Sequence, residues 1–430
     1  MSDNIKVVVK VRPLIPREIE DKLFRQWRVK NNTLYQIDQN GKDILNGYTF
    51  DKVYDETAKT TDVYNDVAKP IVEAAAAGFN GTIFAYGQTS SGKTYTMTGT
   101  DESLGIIPLS VMNLFDIIKN IPDRDYLVRV SYVEIYNETL IDLLNTEKKN
   151  IKIHDTLQGV KVDATVRVTT SPEEVLQFMR EGQANRQTGS TNMNEESSRS
   201  HSIFQITIES REHIEGEEVG CLNVSQLNLV DLAGSERSGQ TGATGIRFKE
   251  GTHINKSLSS LALVIKQLSE GLNKHVSYRD SRLTRILQNS LGGNAKTSII
   301  CAVTPAAVEE TISTLQFASR AKAIKNSPEV NVVATDTKMI ESLTKQLSSL
   351  KTQLENKRNV EEDNHKLQKQ IAVLQRFLSG FGQQNTAEMM TGNRRKMQQM
   401  RRATISTPHV RQEDSTPSAP RFCTPSLKYK

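Results

Sequence analysis

The chain has 430 residues, a hydrophobic content of 37% and a formal net charge of +5 at pH 7. This length predicts more than one folding unit, and no apolar run approaches the length of a membrane-spanning helix. The three cysteines, Cys221, Cys301 and Cys423, are scattered and odd in number, which disfavours a disulfide framework and a metal site. The N-terminus lacks a charged segment followed by an apolar one, so we expect a cytosolic protein.

Apolar segments typical of strands alternate along the chain with longer segments typical of helices. The predicted strands are residues 5–11, 82–86, 128–135, 203–208, 224–230 and 298–303. The predicted helices are residues 61–77, 171–181, 254–270 and 309–325. This alternation predicts an α/β fold in which helices cover a central sheet.

The second of these helices, 171–181, carries clear end signals. Ser171 is a favoured cap, Pro172 is favoured at the first helical position, and Glu174 can close a capping box. Gly182 predicts the end of the helix, because glycine readily adopts the left-handed conformation that follows a last turn.

Residues 87–94, GQTSSGKT, match the phosphate-binding loop pattern G-x-x-x-x-G-K-[ST] without a mismatch. A loop rich in Gly and Ser can match by chance, but the predicted strand 82–86 in front favours a nucleotide site. Lys93 would reach the terminal phosphates and the Thr94 hydroxyl would hold Mg2+. The predicted nucleotide-binding residues of this loop are Gly87, Gln88, Thr89, Ser90, Ser91, Gly92, Lys93 and Thr94.

Two later segments, 194–201 (NEESSRSH) and 231–236 (DLAGSE), strengthen this interpretation. Asp231 follows a predicted strand, and an Asp in that place holds Mg2+ in P-loop enzymes, directly or through water. The backbone N–H of Gly234 can reach the gamma-phosphate. Both segments therefore predict parts of the same site.

In this order and spacing, GQTSSGKT, NEESSRSH and DLAGSE resemble the P-loop, switch I and switch II of the kinesin motor domain. Residues 12–16, 253–258 and 278–287 match further, and the resemblance covers about the first three-quarters of the chain. Residues 129–138, 225–230 and 287–297 look most like the centromere-associated mitotic group, kinesin-7. The resemblance implies a P-loop NTPase kinesin motor fold over residues 1–325, with a central mixed sheet flanked by helices.

The resemblance also implies a role for each switch residue. Ser198 would join the Mg2+ shell, while Asn194 and Ser197 would position water and phosphate. Arg199 and Glu236 would form a salt bridge between the closed switches, and Glu236 would relay the proton of the attacking water. The alternative for this pair is a surface ion pair worth under about 1 kcal/mol.

The base pocket implied by the resemblance places Arg12 and Pro13 on adenine, opposite Tyr95. Lys10 stands where Arg is common in the family, and it lacks the planar fork of Arg. The chain has no N-K-x-D segment for reading guanine, which favours ATP over GTP. The expected cofactors are ATP and Mg2+.

The implied partner is the microtubule, since tubulin is acidic and basic residues cluster after switch II. For any one of them a solvated charge is an equally good explanation. The predicted contacts are Arg237, Lys249, Lys274, Arg279, Arg282 and Arg285. Residues 237–252 are rich in Gly and Thr and predict a mobile loop before the helix from 254.

The resemblance implies a microtubule-stimulated ATPase with plus-end-directed movement, a role in mitosis and chromosome movement, and a location on the cytoskeleton, spindle and kinetochore. The alternative is a non-processive microtubule regulator or depolymerase built on the same fold. We expect no membrane partner and no direct contact with nucleic acid.

Residues 326–336 resemble the kinesin neck linker, which docks along the motor core. Ile324 would then enter an apolar pocket, and residues 4–6 would pair with the docked segment. Residues 337–378 show a heptad seam that predicts a dimeric coiled coil, with a lone amphipathic helix folded on the motor as the alternative. The second part of this seam consists of Leu367, Ile371, Leu374 and Leu378.

Residues 379–430 are dominated by Gly, Gln, Ser, Thr and Pro, with many basic residues, and predict a disordered basic tail. The alternative is contact of the tail with a polyanion, such as the acidic surface of a microtubule or nucleic acid. Four threonines lie in patterns that suit basophilic or proline-directed mitotic kinases, namely Thr404, Thr407, Thr416 and Thr424. The alternative is that these short patterns arise by chance in a tail rich in Ser and Thr.

Overall fold

The computed structural model describes residues 3–44, 47–148, 151–156, 159–188, 198–212, 222–236, 246–271, 275–333, 347–349 and 365–379. For residues 188, 246–255 and 333 only the backbone is described. None of the helices in these ranges combines the length and the apolar character that crossing a bilayer requires.

The strands in the described part of the chain are β1 (Asp3–Asn4), β2 (Lys6–Val11), β3 (Trp27–Lys30), β4 (Thr33–Gln36), β5 (Tyr48–Thr49), β6 (Lys52–Tyr54), β7 (Gly81–Tyr86), β8 (Arg124–Tyr136), β9 (Thr139–Asp142), β10 (Ile153–Thr156), β11 (Gly159–Val162), β12 (Arg167–Thr169), β13 (His201–Glu212), β14 (Leu222–Asp231), β15 (Lys296–Val303), β16 (Lys325–Asn326) and β17 (Val332–Val333). The helices are α1 (Pro16–Glu20), α2 (Thr60–Val63), α3 (Lys69–Ala76), α4 (Lys93–Met97), α5 (Ile106–Lys119), α6 (Pro172–Thr188), α7 (Ile246–Ser269), α8 (Arg282–Ile286), α9 (Glu309–Ala321) and α10 (365–379).

The central sheet is mixed, as predicted, and runs in the order β12-β8-β13-β14-β7-β15-β2-β6. The pairs from β12 to β14 are antiparallel, and the pairs from β14 to β6 are parallel. Helices α7 and α9 cover one face, and α3, α5 and α6 cover the other. The parallel strands therefore end together at one edge of a sheet that is buried on both faces.

Strand β2 shows how the sequence builds both cores at once. Val7, Val9 and Val11 pack in the core on the α7 side, while Val8 packs in the core on the α3 side. Successive side chains of a strand point to opposite faces, so the apolar run Val7–Val9 suits a strand that is covered on both faces.

The predicted strands and helices are present, with ends shifted by a few residues, but two predictions of helix limits were wrong. Helix α6 continues through Gly182 to Thr188. A Cβ at residue 182 would lie 2.2 Å from the Tyr132 ring, so glycine serves close packing of α6 on β8 rather than termination.

The second correction concerns the predicted mobile loop 237–252. Helix α7 begins at Ile246, so the last part of this segment is helical despite its Gly and Thr content. Residues 237–245 lie outside the described residues. Later residues of α7, from Leu258 on, pack in the core between the sheet and α9.

The segment predicted as the neck linker lies along the core. Ile324 is buried, as expected, and its carbonyl accepts a hydrogen bond of 3.1 Å from the Ile5 amide. Strand β1 pairs with β16, which confirms the predicted pairing of the N-terminus with this segment. Strand β17 pairs with β14 through Leu222 and Asn223, so the docked segment extends the central sheet.

Asn326 fixes the start of this docked segment. Its side-chain amide donates to the carbonyls of Ser290 and Ala295 at 3.1 and 2.7 Å, and its oxygen accepts from the Gly292 amide at 2.8 Å. The side chain is buried, so each of these groups depends on it for a partner.

Helix α10 covers the last part of the predicted coiled coil, and the structure shows it within a single chain. Leu374 and Phe377 of α10 pack on Leu127, Val168 and Leu222 of the sheet. This is the arrangement of the alternative, an amphipathic helix folded on the motor. The dimeric coil over 337–378 remains a prediction, and residues 380–430 lie outside the described residues.

Replacing Asn326 tests how the docked segment is anchored. We expect Asn326→Ala to lower the free energy of unfolding by about 2 kcal/mol, because buried partners lose their hydrogen bonds. Urea denaturation measures this, with the exposed neighbour Lys325→Ala as the matched control. Equal stabilities of the two variants would contradict the anchoring role.

Candidate nucleotide-binding site

The predicted phosphate loop connects the carboxyl end of β7 to α4, at the edge where the parallel strands end. Gly87 has φ +150° and Gly92 has φ +93°, values that favour glycine. A Cβ on Gly87 would lie 2.0 Å from the Ala302 carbonyl oxygen of β15. The buried strands on both sides therefore set the position of the loop.

Lys93 lies under this loop, with its side chain buried. Its ammonium donates a 2.8 Å hydrogen bond to the Gln88 carbonyl, which closes the loop on itself. Burial lowers the pKa of Lys93, and the charges of Asp231 and Glu236 oppose that shift. A phosphate would supply the negative partner that a buried ammonium needs.

Thr94 and Asp231 meet beside Lys93, as the sequence predicted for a metal site. The Thr94 hydroxyl donates to Asp231 Oδ2 at 2.7 Å. The other oxygen, Asp231 Oδ1, is buried and has no hydrogen-bond partner among the described residues. Hydroxyl and carboxylate oxygens are the ligands that Mg2+ prefers, so these residues fit that ion, either directly or through its water.

Sequence reasoning missed Arg186, which lies in α6 and is buried among carboxylates. Its guanidinium lies 3.3 Å from Glu134 Oε1 and 3.4 Å from Asp231 Oδ2, and it also reaches Ser200 and Ser202. Burial lowers the pKa of Arg186, but the nearby Asp231 and Glu134 carboxylates outweigh this and raise it. Only the packing of α6 on the sheet shows that this arginine, among several polar residues, points inward.

The DLAGSE segment binds both of the other predicted motifs. The Gly234 amide donates to the Ser198 carbonyl at 2.7 Å, and the Ser235 amide donates to the Gly87 carbonyl at 3.1 Å. The Glu236 carboxylate accepts from the Thr89 amide at 2.7 Å and from the Thr89 hydroxyl. The three motifs therefore form one hydrogen-bonded unit, while the Arg199–Glu236 pair stays a prediction.

His201 extends this unit to helix α7. Its Nδ1 accepts from the Ala233 amide at 3.0 Å, so Nε2 carries the proton and donates to Ser257 Oγ at 2.7 Å. Burial, with the positive charges of Arg186 and Lys93, lowers the pKa of His201 to about 3. The imidazole is neutral at physiological pH and acts as a fixed link between the Asp231 segment and α7.

A cavity of about 890 Å3 opens beside the phosphate loop and is lined by Arg12, Pro13 and Tyr95. Both terminal nitrogens of Arg12 bind Glu18 at 2.7 Å, and its Nε donates to the Ser90 carbonyl at 2.6 Å. Arg12 therefore holds the loop in place and also lines the cavity. The sequence analysis did not assign Arg12 the role of holding the loop. Tyr95 is 47% exposed and keeps a flat face available to a planar ligand.

Lys10 also lines this cavity, and it is buried. Its ammonium donates to the hydroxyls of Thr60 and Thr96 at 3.3 and 3.2 Å and lies 5.3 Å from the centre of the Tyr95 ring. Burial lowers the pKa of Lys10 to about 8. A buried point charge here holds the walls of the cavity together, which does not require the planar fork of an arginine.

Some of the remaining predicted residues lie outside the described part of the chain. Asn194 and Ser197 lie outside the described residues, as do Arg237 and Lys274, and Lys249 is described by its backbone only. Arg279 and Arg285 both bind the Asp155 carboxylate of β10, at 3.3 and 3.0 Å. Arg282 is exposed at the start of α8. The four tail threonines Thr404, Thr407, Thr416 and Thr424 lie outside the described residues.

The two loop glycines provide a matched test of the phosphate site. Gly87→Ala forces a side chain against the β15 backbone, whereas a Cβ on Gly92 meets only Arg12 Cβ at 4.0 Å. We expect Gly87→Ala to weaken nucleotide binding by roughly 100-fold. In Gly92→Ala we expect only the strain of the φ angle to reduce the binding free energy, by about 1–2 kcal/mol. Titration with a fluorescent ATP analogue measures both. An intact affinity in Gly87→Ala would contradict the loop geometry.

Stability below neutral pH tests the buried His201. Its folded-state pKa of about 3 lies below the ordinary value of 6.5, so the unfolded chain binds the proton more tightly. The stabilisation is complete above pH 6.5 and is lost as pH falls toward 3, by up to about 1.4 kcal/mol per pH unit.

Urea denaturation between pH 7.5 and 4.5 measures this slope. We expect His201→Gln to reduce it, since glutamine can both accept from Ala233 and donate to Ser257 without titrating. The exposed His275→Gln is the control. An unchanged slope in His201→Gln would show that another group titrates in this range.

Comparison with known proteins shows the family of the chain. The family model described as the kinesin motor domain matches residues 10–324. Centromere-associated protein E of Homo sapiens is 50% identical over 347 residues, which is 78% of this chain and 13% of that protein. Kinesin-like protein KIN-7I of Oryza sativa subsp. japonica is 50% identical over 350 residues, which is 79% of this chain and 28% of that protein. The chain therefore spans less than a third of either relative.

Solved structures show the same fold. A fast kinesin, whose structure was described for its ATPase mechanism and interactions with microtubules, has a TM-score of 0.71 at 43% identity and covers 78% of this chain and 95% of its own. A KIF14 dimer with AMP-PNP, in complex with a microtubule, has a TM-score of 0.72 at 36% identity and covers 80% of this chain and 100% of its own. Because the family model spans well over half of the chain and these folds agree, the chain belongs to the kinesin motor-domain family.

Proposed function

We propose that this chain is a microtubule-stimulated ATPase motor that converts ATP hydrolysis into movement along microtubules. One observation carries the proposal: the phosphate loop, Asp231 and Glu236 form one hydrogen-bonded unit that continues to Ser198. A group that contacts the gamma-phosphate in this unit can transmit the nucleotide state to both switch segments.

The residues of the unit suit ATP and Mg2+. Lys93 and the loop amides would neutralise the phosphates, and Thr94 would hold the metal with Ser198 and, through water, Asp231. Bound Mg2+ supplies charge neutralisation on the phosphate oxygens. The neighbouring cavity, with Arg12, Pro13 and Tyr95 along its walls, has room for the base.

Hydrolysis requires a water aimed at the gamma-phosphate and a group that accepts its proton. We assign positioning to Asn194, Ser197 and Gly234, and proton acceptance to Glu236. Arg199 would pair with Glu236 when both switches close. In the described structure the Glu236 carboxylate already binds the loop residue Thr89, which keeps it within the site.

Two contacts support coupling of the site to movement. His201 connects the Asp231 segment to Ser257 on α7, the helix that lies on tubulin in kinesins. At the other side of the core, β16 and β17 hold the linker docked on the sheet. We propose that ATP binding favours this docked arrangement, and that the movement is plus-end-directed.

The proposed track contacts are basic residues around α7 and α8, which suit an acidic polymer and predict salt-sensitive binding. The described members are Arg279, Arg282 and Arg285, and Arg237, Lys249 and Lys274 are proposed with them. The microtubule-bound KIF14 neighbour supports tubulin as the partner. Similarity to Centromere-associated protein E supports a mitotic role at the spindle and kinetochore. Dimerisation through the coil and modification of the tail threonines remain proposals.

The ATPase rate with and without taxol-stabilised microtubules tests the proposal. We expect strong stimulation in the wild type and a loss of about 100-fold or more in Glu236→Ala. Glu236→Gln is the matched control, because its amide can still bind Thr89 but cannot accept a proton. Loss in both variants assigns proton transfer to Glu236, whereas activity retained in Glu236→Gln leaves it a role in holding the loop.

The same preparation separates the motor from the alternative function. Gliding of polarity-marked microtubules over surface-bound protein shows translocation and its direction. Shortening of the microtubules without gliding would favour a depolymerase, and an ATPase that microtubules do not stimulate would contradict the motor proposal.

A further inference from the structure

Strand β14 ends beside the phosphate loop and begins at the opposite end of the central sheet. Helix α10 packs at that opposite end. Leu374 and Phe377 are fully buried there, against Leu127 of β8, Val168 of β12 and Leu222 of β14. The Gln370 side chain donates at 3.0 Å to the Val168 carbonyl on the edge strand β12. The contact therefore combines apolar burial with a directional bond to the main chain.

Arg211 of β13 binds the last turn of this helix. Its guanidinium donates to the carbonyls of Arg376 and Phe377 at 3.1 and 3.2 Å, which are groups that a helix leaves without internal partners. It lies 5.6 Å from the centre of the Phe377 ring. Asp125, which binds Arg211 at 3.3 Å, also lies 3.7 Å from Arg376 of the helix. Arg211 therefore satisfies carbonyls at the C-terminal turn of α10.

The buried face of α10 coincides with the heptad seam only in part. The seam runs through Leu367, Ile371, Leu374 and Leu378, whereas the buried residues of α10 are Gln370, Ile371, Leu374 and Phe377. Leu378 is partly buried and packs against the same cluster as Leu374 and Phe377. Ile371 and Leu374 belong to both sets. Gln370 and Phe377 would flank the seam in a two-chain coil, where flanking positions stay partly in solvent.

The α10 site also contacts the docked linker. Leu222 pairs through its main chain with Val333 of β17, and its side chain packs in the cluster with Leu374 and Phe377. A helix seated on Leu222 therefore stabilises the same end of β14 that the linker uses.

We propose that residues 365–379 are an internal ligand of the motor core, held by Arg211 and the Leu127–Val168–Leu222 surface beside the docked linker. Seating of the helix buries the seam residue Leu374 against the sheet, so the same helix cannot pair with a second chain at the same time. Head binding and two-chain pairing are alternative uses of one segment, and the linker-docked state favours head binding.

Hydrogen–deuterium exchange on the full chain tests this inference without nucleotide or microtubules, so its outcome is independent of the ATPase assay. We expect protection of the 365–379 amides that does not change on dilution. Phe377→Ser should reduce this protection at least about tenfold. Arg211→Gln should do the same from the core side, and the exposed Gln375→Ala is the matched control.

Sedimentation velocity on the same variants tests whether binding of α10 to the motor core excludes pairing with a second chain. Phe377→Ser leaves every seam position intact, so release of the helix should lower the concentration at which the chain dimerises. Protection lost on dilution of the wild type would assign it to a two-chain coil and overturn the inference. Protection unchanged in both Phe377→Ser and Arg211→Gln, or dimerisation unchanged in Phe377→Ser, would overturn it as well.

Discussion

The buried carboxylate of Asp231 is the group on which the nucleotide site depends. An unpaired charge in the interior is costly, and here it is offset by the Arg186 guanidinium and the Thr94 hydroxyl. Arg186 in turn binds Glu134 of β8, so a helix, two strands and the phosphate loop meet around one charge. A displacement of Asp231 would therefore change the contacts of elements that are far apart in the chain.

From this group, short polar contacts lead outward in two directions. Through Gly234 and Glu236 the Asp231 segment binds Ser198 and Thr89, and through His201 it reaches α7. Strand β14, which ends at Asp231, begins at Leu222, where the linker and α10 are seated. One strand thus spans from the nucleotide site to the linker, which gives the proposed coupling a rigid physical path.

Sequence motifs predicted that Gly87, Lys93, Thr94 and Asp231 serve one site, because phosphate and Mg2+ chemistry restricts which residue types can serve there. The structure brings these residues together, and their roles stay predictions. The mixed sheet and the docking of Ile324 were also predicted. The pattern did not reveal Arg186, since a buried arginine in a polar helix looks like a solvated one until its carboxylate partners are in place. The interpretation of Gly182 as a helix end was wrong for a related reason. A glycine is needed there because the Tyr132 ring of β8 lies against it, and the sequence does not show that contact.

The sequence by itself determined the family, the phosphate loop and the period of the apolar faces, because these depend on local spacing and on chemistry with few solutions. Tertiary structure decided what those faces touch. The apolar face of residues 365–379 suits both a second chain and the motor core, and heptad spacing cannot separate the two. The structure places it on Leu127, Val168 and Leu222, where the Arg211 guanidinium binds carbonyls of its last turn. That choice depends on groups brought together from distant strands.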